Sequence, residues 1–183
     1  LDLIEIEYDV LPPVLTAREG MKDDAPRLHN DLKTEEIGDK ADKVSNVANH
    51  FQHRLGDIEK GFQEADLVIE REFNTKTVHQ GYIEPHAATV LWDSDDKVSI
   101  WSSSQGQFAI QEQTAGLLGL PVSKVKATPM EIGGGFGGKT LVYLEPVAAI
   151  LSKKTGHPVK VTMSRADVFR ATGPGAPAHI TVK

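Results

Sequence analysis

Cysteine is absent from all 183 residues. That absence excludes a disulfide scaffold, a cysteine-ligated zinc finger, an iron–sulfur cluster and a thiol nucleophile within this chain. Positive charge is in short supply, with 20 Lys and Arg against 26 Asp and Glu and a net charge of −6. No concentrated basic face is available, so a nucleic-acid partner is not expected. Long apolar runs are missing too: none approaches the ~18 residues of a membrane span. No signal-peptide pattern opens the sequence either, and a cytoplasmic protein is the expectation. Both ends fall inside alternating stretches, Leu3-Ile4-Glu5-Ile6-Glu7-Tyr8 and Ala178-His179-Ile180-Thr181-Val182-Lys183. Such period-two patterns read as strands, and a chain cut within them is expected to be a fragment of something longer.

What is present sorts into segments. The first strand ends at Leu11-Pro12-Pro13, where proline forbids continuation. Residues 16–56 are polar and aperiodic and read as a connector, with one strand near Val44 to Phe51. From Asp57 the pattern sharpens. Asp57 caps a short helix carrying Ile58 and Phe62 on one face, and alternation from Leu67 to Phe73 predicts a half-buried strand. Ala87–Trp92 and Lys97–Trp101 read as strands joined by the turn Asp93-Ser94-Asp95-Asp96. Ser102-Ser103-Ser104 offers N-caps for a helix reaching Leu118, with Phe108, Ala115 and Leu118 turned inward and Gly119 and Pro121 ending it. A strand near Val125–Ala127, a helix from about Leu144 to Lys154 stopped by Gly156, and a strand through Val159, Val161 and Met163 complete the series. Interleaved strands and helices of this kind make an α+β fold, a mixed sheet with packed helices.

The most informative segment is Gly133-Gly134-Gly135-Phe136-Gly137-Gly138 followed by Lys139-Thr140. Clustered glycine implies positive φ or a backbone pressed against a ligand, and its N–H groups can form an anion-binding nest. The string satisfies both the P-loop and the dinucleotide fingerprint. Context argues against each. A P-loop helix beginning at Lys139-Thr140 would be broken by Pro146, only 43 residues follow Thr140, and no Walker B aspartate ends a later strand. An acid on a second strand about 20 residues on, as a dinucleotide site requires, is also missing. Elsewhere, His79, Glu84 and His86 match no zinc spacing. His50 and His53 read as solvated, Glu112 and Glu145 as surface or interface carboxylates rather than an acid/base pair, and the Asp93–Asp96 group as a hairpin turn.

Three motifs in order, His79-Gln80-Gly81-Tyr82-Ile83-Glu84-Pro85-His86, Trp101-Ser102-Ser103-Ser104-Gln105-Gly106 and GGGFGGK, resemble the molybdenum-binding large subunit of the xanthine dehydrogenase/aldehyde oxidase family. The nearest flavour is similar to carbon monoxide dehydrogenase large subunits. The opening IEIEYDVLPPV resembles the end of that family's α/β hammerhead domain, and GDIEKGFQEADLVIEREF the entry into its cofactor domain. The resemblance thus implies 1–15 as a hammerhead tail, 16–56 as connector and 57–183 as the N-terminal part of the cofactor-binding domain. It also implies a molybdenum hydroxylase, which oxidises an aldehyde or N-heterocycle-like carbon with oxygen from water and passes electrons to Fe–S clusters and FAD. The implied cofactor is molybdenum-molybdopterin in its cytosine dinucleotide form. Fe–S and FAD subunits or domains would be its partners, in a dimer of heterotrimers.

By the same resemblance Gln105 would donate to an oxo ligand of the metal. Gly134, Gly135, Phe136 and Gly137 would line the cofactor, and Phe136 would wall the substrate. No side chain here is expected to ligate metal directly. Thr140 stands where xanthine-oxidising members carry glutamate, and Gly173-Pro174-Gly175 where they carry a substrate-orienting arginine, which points away from a purine. The family's base glutamate and most pterin-gripping residues belong to segments beyond this one. The chain alone is therefore expected to bind no cofactor and to be catalytically silent. A P-loop nucleotide binder using Gly133–Thr140 and a non-catalytic scaffold module are the competing readings.

Overall fold

A computed structural model describes residues 5–36 and 39–183. The chain divides into two compact units, one of residues 1–76 with 177–183 and one of residues 77–176.

In the first unit a single helical turn, α1 (Ala17–Gly20), is capped by Thr16, whose hydroxyl accepts from the Glu19 N–H. Strands β1 (Lys33–Glu36) and β2 (Asp39–Val44) pair antiparallel. This hairpin was not expected. Of the strand expected near Val44–Phe51, Val44 closes β2 and the rest is irregular, bridged to β1 between Glu35 and Asn49. Of the opening strand, Leu3 and Ile4 lie outside the described residues, and Glu5 to Leu11 form no strand. Helix α2 (Ile58–Glu64) begins as expected at Asp57, which accepts from the Lys60 N–H. The strand expected from Leu67 to Phe73 shrinks to an exposed β3 (Arg71–Asn74), paired antiparallel with the chain's last strand. A two-stranded ribbon has no second layer of its own. Leu67, Val68 and Ile69 line a groove with Ile58 and Phe62 instead of a sheet core.

The second unit is built on strand β4 (Ala87–Trp92), whose alternation places Ala88, Val90 and Trp92 on one buried face. The turn at Asp93–Asp96 leads to β5 (Val98–Ser102), antiparallel to β4, with Val98 and Ile100 buried. Helix α3 (Gln107–Leu118) crosses over, and a 3-10 turn leads into β6 (Val125–Pro129), which runs parallel to β5. The helix does not start at the serines. Ser102 belongs to β5 and Gly106 is the N-cap, without any side-chain cap bond. Ser104 is engaged elsewhere, its hydroxyl accepting from the Gly106 N–H and donating to the Lys139 carbonyl. Nor does Phe108 face inward. It is 71% exposed, and Ile110, Thr114 and Ala115 make the buried side. Gly119 closes the helix with φ 66°, a left-handed conformation that costs glycine least.

Helix α4 (Glu145–Thr155) has proline in its first turn and ends at Gly156. Glu145 is no surface carboxylate. It is buried, and it accepts from the N–H groups of Tyr143 and Leu144, satisfying donors at its own helix start. Strand β7 (Val159–Thr162) joins the other edge of β4, giving the order β6-β5-β4-β7. Helices α3 and α4 cover one face through Ile110, Ala115, Ala148 and Ala149. Helix α5 (Arg165–Ala171) follows, opened by a reciprocal capping box between Ser164 and Asp167 that the sequence reading missed. The last strand, β8 (His179–Val182), returns to β3 in the first unit. The fold class is therefore the expected α+β, with a mixed sheet.

Candidate functional site

The glycine loop joins β6 to α4, and two neighbouring segments of the same unit hold it. The first is Gln105, two residues ahead of α3. Its backbone N–H donates to the Lys139 carbonyl at 2.9 Å. Its side-chain Oε1 accepts from the N–H groups of Gly137 at 2.9 Å and Lys139 at 3.2 Å. Only the oxygen of a carboxamide can accept twice, so the Nε2 group is left as a donor with no partner among the described residues. A Cβ at Gly135 would meet that Oε1 at 2.5 Å, so only glycine admits the contact.

The loop backbone is unusual beyond this point. Gly134 and Gly137 have φ of 96° and 88°, and Phe136 itself sits at 49°, a rare conformation for an aromatic residue. Its ring is 73% exposed. The N–H groups of Gly134, Gly135 and Phe136 find no acceptor among the described residues. All five of the expected site residues, Gln105, Gly134, Gly135, Phe136 and Gly137, thus meet in one place.

The second holder is the segment 79–86. Glu84 reaches the loop directly: its Oε2 accepts from the Gly133 N–H at 2.6 Å and from Lys139 Nζ at 2.7 Å. Burial pushes the Glu84 carboxyl upward, yet the Lys139 ammonium and the Gly133 N–H outweigh it and hold the group below its ordinary value. Lys139 is fully buried. Behind the loop stands a polar column. The Tyr82 hydroxyl lies 2.8 Å from His86 Nε2 and 3.0 Å from Thr172 Oγ1. Thr172 donates to the Val168 carbonyl at 2.7 Å. His79 Nδ1 accepts from the Gly81 N–H, which assigns its proton to Nε2, 2.9 Å from Thr172 Oγ1. Burial, reinforced by the Lys139 charge, pushes His86 down to about 4.

These bonds commit His79, Glu84 and His86 within the chain. Among the described residues no group of three or more His, Asp or Glu side chains converges as a metal site. No described helix is long and apolar enough to cross a membrane. His50, His53 and Glu112 are exposed, and the four residues from Asp93 form the expected hairpin turn, Asp93 accepting from the N–H groups of Asp95 and Lys97. No helix starts at Lys139-Thr140, and the lysine that a P-loop would aim at phosphate is buried against Glu84. Sequence reasoning missed Glu84 and Lys139 as a pair. A carboxylate and an ammonium 55 residues apart carry no mutual signal in a single sequence.

The residues suit an electron-rich, weakly basic ligand. A carboxamide N–H₂ and three free backbone N–H groups supply donors without net charge, because Glu84 neutralises Lys139. Fold and loop together define the class, an α+β domain that presents uncharged donors from a glycine cradle. The chain belongs to the molybdopterin cofactor-binding domain family, which it matches over residues 40–183. It is 32% identical to the probable hypoxanthine oxidase XdhD of Escherichia coli (strain K12), over 100% of this chain and 22% of that protein. To the nicotinate dehydrogenase large molybdopterin subunit of Eubacterium barkeri it is 30% identical, over 90% of this chain and 36% of the relative. The solved CO dehydrogenase from Oligotropha carboxidovorans superposes with a TM-score of 0.73 at 28% identity, covering 94% of this chain and 22% of that one. The aldehyde oxidoreductase of Desulfovibrio gigas gives 0.77 at 21% identity over 98% of this chain and 19% of its own, a likeness of fold alone. The chain spans between about a fifth and about a third of the lengths of these four proteins.

Proposed function

We propose that this chain supplies one wall of the cofactor site in a molybdenum hydroxylase, an oxidoreductase acting on an aldehyde or N-heterocycle-like carbon. The observation that carries the reading is the Gln105 carboxamide. Two loop N–H groups fix its oxygen, so its nitrogen is reserved as a donor. When bound, a molybdenum cofactor supplies two-electron oxidation with oxygen drawn from water. Gln105 Nε2 and the N–H groups of Gly134, Gly135 and Phe136 would hold its electron-rich edge. The exposed Phe136 ring would shield that edge from water and give a planar substrate an apolar face. The cytosine dinucleotide form of the cofactor, Fe–S and FAD partners in a dimer of heterotrimers, and a cytoplasmic location belong to the same proposal. So does the division into a hammerhead tail (1–15), a connector (16–56) and the start of the cofactor domain (57–183).

Elemental analysis and pterin fluorescence of the full-length protein test this reading. Molybdenum and pterin are expected at about one per chain, with dye reduction by aldehydes or N-heterocycles. Gln105→Ala is expected to keep the metal and lose turnover by about 10²-fold, the usual cost of one oriented donor. A full-length protein free of molybdenum overturns the reading.

A further inference from the structure

Two reciprocal pairs of hydrogen bonds frame the glycine loop. At its start, the Glu84 N–H donates to the Gly133 carbonyl at 3.3 Å while the Glu84 carboxylate accepts from the Gly133 N–H at 2.6 Å. At its end, the Gln105 N–H donates to the Lys139 carbonyl at 2.9 Å while the Gln105 carboxamide accepts from the Lys139 N–H at 3.2 Å. One ion pair connects the two frames. Lys139 Nζ lies 2.7 Å from the same Glu84 oxygen that holds Gly133, and 5.0 Å from the centre of the Tyr82 ring. The lysine side chain is wholly buried while the glutamate is about a third exposed.

We infer that Glu84 and Lys139 are positioning residues, whose ion pair closes residues 133–139 into a ring and so fixes the carboxamide of Gln105. The inference rests on the proposed role of the loop as a cofactor cradle. Neither side chain touches the free donors. Lys139 acts through its own backbone, which Gln105 grips in both directions, so a displaced lysine displaces the carboxamide. Glu84 acts through Gly133, whose position sets where the donors at Gly134 to Phe136 begin. A buried ammonium is a costly way to anchor a loop unless its partner is fixed, and here the partner is tied by two further bonds. The charges cancel, so the cradle keeps donors without an ammonium that would bind anions indiscriminately.

Hydrogen exchange read by mass spectrometry on the full-length protein tests this. In the wild type, peptides spanning 130–142 are expected to retain the bonded amides of Gly133, Gly137, Gly138 and Lys139 while the free amides of Gly134 to Phe136 exchange. Exchange of the whole segment at the unprotected rate overturns the inference whatever the variants do. In Glu84→Gln the buried ammonium loses its counter-charge, and a drop in melting temperature is expected. The double variant Glu84→Gln with Lys139→Met removes that unpaired charge, so its melting temperature should recover. Its loop should nevertheless exchange roughly tenfold faster, as loss of a fixed hydrogen bond implies, with peptides of β4 and β5 unchanged. Loop exchange that recovers along with the melting temperature, or that accelerates equally in β4 and β5, makes the pair a stability element only and overturns the inference. Should the double variant not fold, the wild-type loop measurement decides. Molybdenum content is read separately: a protected loop in a protein that takes up no molybdenum refutes the proposed function and leaves the ring intact.

Discussion

His86 shows what burial does to a single titratable side chain in this protein. It is 6% exposed, faces Tyr82 through Nε2, and has the Lys139 ammonium and His79 on one side of its electrostatic balance and Glu84 on the other. The unfolded chain takes up a proton near 6.5, whereas the folded chain resists until about 4. Between those values the unfolded state binds more protons. Stability is therefore complete above pH 6.5 and declines as pH falls toward 4, by an amount on the order of 3 kcal/mol. Urea midpoints measured across that window should fall with acidity in the wild type and stay nearly level in His86→Gln. At this scale the sequence was a partial guide. Gln105 and the glycines announced themselves, because a polar residue in a family motif and a run lacking side chains are local facts. Lys139 did not, since its meaning depends on Glu84, which reaches it only through the fold. Glu145 misled for a similar reason: a charged residue at a helix start reads as solvent-facing until its own backbone donors are seen to need it.

Among the elements, the strands of the larger sheet were the most legible and the peripheral ones the least. The alternation in β4 is strict, and the residues it assigns inward, Ala88, Val90 and Trp92, are the ones buried. Leu67, Ile69 and Phe73 alternate just as well, yet all three are exposed, because among the described residues β3 has only β8 beside it. Periodicity reports a face that could be buried, not whether a partner layer exists to bury it. Helix ends were legible where backbone conformation sets them, at Gly119 and Gly156. They were misread at Ser102–Ser104, where Ser102 belongs to β5, the Ser104 hydroxyl is spent on the loop, and the helix begins only at Gly106. Ile100 tests the packing that does exist. It is fully buried at the centre of β5, so Ile100→Ala is expected to cost about 2–5 kcal/mol in chemical denaturation. A loss under 1 kcal/mol would mean that the helix layer does not pack on the sheet as described.

For the molecule as a whole, the division into two units sets an expectation of independence. The unit 77–176 holds the entire four-stranded sheet, both covering helices, the glycine loop, Gln105 and the Glu84–Lys139 pair. A core of that completeness should sustain folding without the rest. Expressed alone, residues 77–176 are expected to melt in one cooperative transition, with loop protection equal to that in the full chain. A broad, non-cooperative melt would show that the smaller unit is needed to hold the sheet together. Nothing in composition revealed this division. The 39% hydrophobic content is an average over both units, while every residue of the main buried cluster belongs to the second.

A short bridge at the base of that unit carries one more consequence. The Gly175 N–H donates to the Val78 carbonyl at 2.9 Å, so the two ends of the unit meet within a single hydrogen bond. A segment whose entrance and exit coincide can be spliced into a host or rewired without rethreading. New termini opened at the exposed Asp95–Asp96 turn, with a short linker joining Ala176 to Thr77, would give a circular permutant in which chain order changes and the cradle does not.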